Sequence, residues 1–410
     1  MKILLECGDY FKKLVKYQPQ NTGPDKKNYT YNELKGQFVD LDIKVIDNTL
    51  FRSRYFGNKP VTLDKLESLG VREIRLLVSW SAVAPSPSSA VRPAGDLTNP
   101  SAYGWGPYPA IVAAARAHGI STEVTIAGPA PRWGTQGARD QITYPRPSDY
   151  QHFVTAIARR LKGQVALWTV WNEPNFRTFL MPQLVKGKPA SPAIYRGLFL
   201  AAVAGMKAAG QPGAKLLIGE TAPRSGAGGV APLAFLRGLL CLDGRYHPIK
   251  ARHCAPLPAY GWAHHPYAPA AGPFFVPAGR DDVTIGSLSR LTSALGKAVK
   301  AHALTSSRLF LTEFGVQSYP DKLAGVPLDK QSDYRSISEK LAWNNPHVYG
   351  FSQYLLQDDK IGSSPGDADA GIHGSVRVVH GFAGRSCAIT TRTSCDRGLR
   401  ALMEHGSRPC

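Results

Sequence analysis

No stretch of this 410-residue chain approaches the run of roughly 18 apolar residues that spans a bilayer as a helix. Its six cysteines form no CxxC pair and no zinc-type spacing. There is no internal repeat, no run of five like charges, and no low-complexity tract beyond the Pro/Ser loop at 84–90. These absences exclude a membrane span, a zinc ribbon and a repeat architecture. Acidic residues are scarce beside basic ones, 30 against 49, for a formal charge of +19. Such a balance suits nucleic acid or a polyanionic glycan. The cations are scattered, however, and no aromatic-interleaved RNA motif accompanies them, so we expect a generally basic surface and no nucleic-acid partner. Residues 1–16 read as a poor secretion signal, because Ile3-Leu4-Leu5 is broken by Glu6 and followed by Asp9, Lys12 and Lys13.

What is present is a 43% hydrophobic chain, enough for one large domain. Apolar runs at 73–80, 120–126, 164–171, 214–219, 259–264, 307–313 and 348–355 read as buried strands. Helical patterns lie around and between them at 62–69, 107–118, 148–162, 192–209, 230–240, 285–302 and 330–343. This alternation predicts a parallel sheet covered by helices. Helix-to-strand links are short and marked by Gly70, Gly119, Gly163 and Gly213, read as helix C-caps. Strand-to-helix links are long and rich in Pro, Gly and Ser. A barrel elaborated on the face where its strands end has this asymmetry. The expectation is an α/β fold, a (β/α)8 TIM barrel over 41–360 with long loops on its C-terminal face. Its first strand would lie in 41–46. Residues 1–40 read as an extension and 361–410 as an irregular tail, whose only helical pattern is near 395–405.

The sharpest local signal is Trp168-Thr-Val-Trp-Asn-Glu-Pro-Asn175. An apolar strand ends there in a carboxylate, Glu173, and Pro174 stops the ladder because it has no N–H to donate. A second strand, 307–313, ends in Glu313, 140 residues later. Counting strand ends puts Glu173 on the fourth strand and Glu313 on the seventh, so a closed barrel would aim both into one crater. Two carboxyls across one cavity suit glycosidic cleavage, in which one protonates the leaving oxygen and the other attacks or stabilises the anomeric carbon.

With these residues in place, the segment from about 60 to 357 resembles clan A of the glycoside hydrolases, nearest to its families 39 and 5. The matching pieces are Trp171-Asn172-Glu173-Pro174 and Thr312-Glu313-Phe314-Gly315, supported by Arg75 and by His265-Pro266-Tyr267. The resemblance implies a retaining hydrolase of β-linked O-glycosides with Glu173 as acid/base, Glu313 as nucleophile and no cofactor or metal. It further implies that Asn172 binds the sugar 2-hydroxyl, that Arg75 and Tyr267 hold Glu313 ionised, and that His265 contacts sugar. His264 reads as a structural histidine. Trp133 and Tyr354 are the aromatic sugar contacts expected, with Trp80, Trp171 and Trp105 as further candidates; each such ring is more often packing than platform. The family's strand-8 tryptophan is missing, which leaves Tyr354 or Phe351 to replace it. Glu220 is a third crater carboxylate, either a substrate contact or a structural acceptor, while Asp358 and Asp359 read as solvated.

A non-catalytic glycan-binding barrel is the alternative. A metal hydrolase built on His264 and His265 is disfavoured, since adjacent strand residues face opposite ways. Cys241 and Cys254 bracket a turn-rich loop that either a disulfide closes or two free thiols flank. The family resemblance and that pair favour secretion. Sugar identity and oligomeric state are not encoded legibly.

Overall fold

The computed structural model describes residues 71–226, 228–319 and 325–353, with Leu63, Leu66 and the backbone of 376–381. Seven parallel strands curl into one sheet: β1 (Glu73–Ser79), β2 (Ser121–Ala127), β3 (Leu167–Val170), β4 (Leu216–Thr221), β5 (Gly261–His264), β6 (Leu309–Phe314) and β7 (Val348–Gln353). Each pairs with the next in chain order. The place between β7 and β1 is taken by β8 (Val376–Gly381), antiparallel to both, and the sheet closes.

The expected tail thus contributes a strand rather than irregular chain alone. Val376, Val378 and Val379 are residues that favour a pleated backbone. The closure also departs from an all-parallel eightfold barrel, and the expected first strand, 41–46, lies outside the described residues. So do residues 1–40, and the strand expected as fourth is β3 here.

Between the strands run α1 (Tyr108–Ala117), α2 (Pro147–Arg160), α3 (Ser191–Ala208), α4 (Pro232–Leu239), α5 (Leu288–Lys300) and α6 (Leu328–Trp343). All six match the sequence periodicity to within about three residues. In α2, Pro147 occupies the first turn with Asp149, Arg159 and Arg160 the last, and Tyr150, Phe153, Val154 and Ile157 form the buried stripe. Gly119, Gly163 and Gly210 take the left-handed conformation that ends α1, α2 and α3. The third stop is therefore Gly210, three residues ahead of the expected Gly213.

Alternation along the strands separates two cores. Trp168, Ile218, Trp262, Leu309 and Leu311 belong to the large cluster shared with the helices. Leu167, Leu217 and Ala263 form a small separate cluster on the inner face, with Tyr260 and Phe310 packed against it. Polar groups share that inner face: Arg75 and Glu123 are register partners on β1 and β2, and Thr125 bonds Thr169 at 2.8 Å. Such polar groups inside a sheet point to a built site above them, because each must be paired to be tolerated.

Outside the barrel, Cys241 and Cys254 are joined by a disulfide, with Cα atoms 6.2 Å apart. No described helix is long and apolar enough to cross a membrane.

Candidate active site

The strand tips carry the site. β3 ends at Val170, and the chain reverses through two residues in the left-handed region, Trp171 (φ +65°) and Glu173 (φ +38°). For residues with a Cβ this costs on the order of 1–3 kcal/mol each and survives only where the surroundings over-determine it. Here they do. The Trp171 N–H donates to Ile126 O at 3.0 Å, and the Phe176 N–H donates to Glu173 O at 2.9 Å. Asn175, fully buried, pins the turn to the next loop: its amide donates to Ala222 O and Val230 O, and its Oδ1 accepts from the Ala222 N–H.

Strict alternation would point Glu220 and Glu313 toward the helices, because Ile218 and Leu311 two residues earlier lie in the outer core. Irregularities in both strands re-aim them. The β4–β5 register shifts between Ile218 and Thr221, and the β6–β7 register shifts between Leu311 and Phe314. At the first bulge Gly219 has φ +113°, and a Cβ there would stand 2.7 Å from Ala263 O. Only glycine fits both demands.

Arg75 lies fully buried below the tips and gathers the carboxylates. It ion-pairs with Glu220, with Glu123 at 3.0 Å and with Glu313 at 3.4 Å. Tyr267 donates its hydroxyl to Glu313 Oε2 at 3.0 Å. Both contacts expected of Arg75 and Tyr267 are present. Glu123 was not singled out in the sequence, although a charge within Thr122-Glu-Val-Thr-Ile126 signals a buried partner. Burial outweighs the pull of Arg75 and pushes its carboxyl well above the ordinary range, with Glu220 and Glu73 adding to the rise.

His265 is the hub of the crater. Its Nδ1 stands 2.9 Å from Glu173 Oε1 and 2.9 Å from Glu313 Oε2, while Nε2 stands 3.0 Å from Glu220 Oε2. Burial disfavours its cation, but the Glu313 charge and the bonds to Glu173, Glu220 and Glu313 outweigh that, holding its pKa well above the ordinary histidine value. His264, one residue earlier, faces the other way. It bonds Thr221 Oγ1 at 2.8 Å and Val283 O at 3.0 Å, and burial holds its pKa down at about 3. The two histidines do not form a pair.

Burial also pushes the Glu173 carboxyl up. His265 opposes the rise, and Glu313 and Glu220 add to it. Desolvation therefore contributes more than the carboxylate repulsion that a paired-acid argument would put first. Glu173, His265 and Glu313 each place one donor atom within 4.8 Å of the others. A cation is a poor fit there: N–H and O–H donors already face these lone pairs, and the fixed charge of Arg75 lies 3.4 Å from Glu313.

Asn172 is buried, and its Oδ1 has no hydrogen-bond partner among the described residues, so it caps no turn through that atom. The aromatic platforms are a correction. Trp133 is fully buried, donates to Pro85 O at 2.9 Å and packs edge-on against Trp80. It offers no open face to a sugar, and neither do Trp80, Trp171 or Phe351, all wholly buried. Trp105 packs on Tyr103 and Phe153. These rings fill space behind the strand tips because large apolar area is more stabilising covered than stacked in water. Tyr354, Asp358 and Asp359 lie outside the described residues.

No protein-family model matches the chain, and no curated protein sequence matches it. Solved structures do. A glucosidase from Croceicoccus marinus is 18% identical, over 64% of this chain and 49% of that one, with a TM-score of 0.41. A family 39 glycoside hydrolase from the gut symbiont Bacteroides cellulosilyticus is 17% identical, over 75% and 54%, at 0.43. A family 5 glycoside hydrolase from Prevotella bryantii is 16% identical, over 77% and 88%, at 0.42. The matched part of this chain spans about half the length of the first two. These three solved proteins are glycosidases by name, and the similarity is one of chain path.

Proposed function

We propose that this chain is a retaining glycoside hydrolase acting on a β-linked O-glycoside, with Glu313 as nucleophile and Glu173 as acid/base. One observation carries the reading: carboxylate oxygens of Glu173 and Glu313 lie within 4.8 Å of each other, on either side of His265 Nδ1. A separation of about 5–5.5 Å suits direct attack and a covalent intermediate, whereas an inverting enzyme leaves about 6.5–9.5 Å for water.

In the first step Glu313 bonds to the anomeric carbon as the glycosidic C–O bond breaks, and Glu173 gives its proton to the departing oxygen. Water then transfers a proton to Glu173 while its oxygen displaces Glu313. Arg75 and Tyr267 bond the Glu313 carboxyl and hold it in place for attack. The raised Glu173 supplies the proton. Asn172, beside Glu173, is the residue we assign to the sugar 2-hydroxyl, and the disulfide supports a secreted enzyme.

The test is Glu313→Gly assayed on aryl β-glycosides with and without azide. Activity lost and then restored by azide as an α-glycosyl azide is expected; undiminished hydrolysis without azide removes Glu313 from the role. Saturable sugar binding without any turnover by the unaltered protein would return the non-catalytic alternative.

A further inference from the structure

Glu220 has no part in that two-step chemistry, yet it is wholly buried at the crater floor and holds two of its key groups. Its Oε2 accepts from the Arg75 guanidinium and lies 3.0 Å from His265 Nε2. Burial would push this carboxyl up, but Arg75 and the His265 contacts outweigh burial and hold it below the ordinary range. Arg75 does not lose its proton in a protein. Glu220 therefore stays an anion, which can only accept, so His265 Nε2 must carry a proton.

That assignment leaves Nδ1 as the atom that faces the crater. It meets Glu173 Oε1 and Glu313 Oε2, each at 2.9 Å. The two neighbours differ. Glu313 already receives Tyr267 and faces Arg75, whereas the Glu173 carboxyl is bonded to His265 alone among the described residues. One mobile proton thus has two homes, Glu173 Oε1 and His265 Nδ1.

We propose that Glu220, His265 and Glu173 form a proton-holding triad, in which the acid/base proton is shared between Glu173 Oε1 and His265 Nδ1 and Glu220 is the positioning residue that fixes the arrangement. This rests on Glu173 being the acid/base. As the glycosidic bond breaks, its electron pair stays on the departing oxygen, which takes the proton from Glu173. The second step returns a proton from water to Glu173, and His265 ends as it began.

The groups facing His265 are Glu220 from β4, Glu173 from the turn after β3, Glu313 from β6 and Arg75 from β1. Tyr267 lies edge-on at 6.4 Å in its own loop. Glu123 on β2 acts through Arg75, and His264 beside it is neutral at working pH.

The Glu220 anion favours the protonated pair, so neutralising it must loosen the shared proton. In Glu220→Gln the alkaline limb of kcat/KM should move to lower pH by about one unit or more. The loss above neutrality should be larger for aryl glycosides with poor leaving groups, which need the proton. An unmoved limb with a uniform drop in kcat would make Glu220 merely structural and overturn the triad.

Should that variant not fold, ¹⁵N NMR of the histidines in the unaltered protein decides. We expect Nε2 of His265 to stay protonated while Nδ1 titrates along the alkaline limb; the opposite tautomer overturns the proposal. Azide rescue of Glu313→Gly is independent of both readouts. A rescued Glu313→Gly with an unmoved limb in Glu220→Gln would therefore sink the triad and leave the glycosidase reading standing.

Discussion

Tyr267 donates its hydroxyl to Glu313 Oε2 across 3.0 Å, while its ring lies over Phe314 with centroids 6.5 Å apart. The two contacts are separable, because the ring packs and the oxygen polarises. Tyr267→Phe keeps the first and removes the second. A hydrogen bond to a charged group contributes about 1.5–3 kcal/mol, so kcat/KM should fall roughly 10- to 100-fold. The melting temperature should change by only a few degrees. Steady-state kinetics beside a thermal melt check this, and an unchanged kcat/KM would show that Arg75 alone orients the nucleophile.

Arg75 should behave differently, because it is wholly buried and faces three carboxylates. Arg75→Met preserves length and removes the charge, leaving Glu220 and Glu313 without their fixed counter-ion. Removing one partner from a buried ionic group costs about 3–5 kcal/mol, and denaturant unfolding should show a loss of that order. Adding Glu123→Gln should recover little of it, because burial already holds the Glu123 carboxyl well above the ordinary range. A double variant clearly more stable than Arg75→Met would mean that Glu123 is charged in the folded chain.

The two ends of this site differ in how plainly the chain announces them. Glu173 was legible because the apolar run before it marks a strand end close by, although the strand stops at Val170, four residues short of Pro174. His265 and Tyr267 were legible through a motif just past a strand end, and Arg75 through a charge inside an apolar strand. The inward turn of Glu220 and Glu313 was not. Strand periodicity points both outward, and the register shifts that reverse them are set by tertiary contacts such as Gly219 against Ala263 and Trp262. The tryptophans misled for a related reason: a ring at a strand tip faces either crater or helix, and periodicity fails where Trp171 enters the left-handed region. Val376–Gly381 was missed because a closing antiparallel strand has no place in the βα alternation that revealed the others.

Glu73 offers a test of the inner face that leaves the crater untouched. It lies at the start of β1 and, with Glu123, Thr312 and Ser352, lines a cavity of about 20 Å³. Burial pushes its carboxyl up to about 7 from an ordinary 4.5, against smaller opposing effects from Ser121 and Lys215. A folded-state pKa above the unfolded one means that the folded chain binds the proton more tightly. The resulting stability is fully present below the unfolded value and is lost as pH rises through about 7. Glu73→Gln imitates the protonated carboxyl at every pH. It should match the unaltered protein near pH 4 and exceed it near pH 9, by up to about 3 kcal/mol for a shift of this size. Urea unfolding at the two pH values measures the difference directly. If the two proteins keep a constant offset across that range, Glu73 titrates normally and is not buried as an acid.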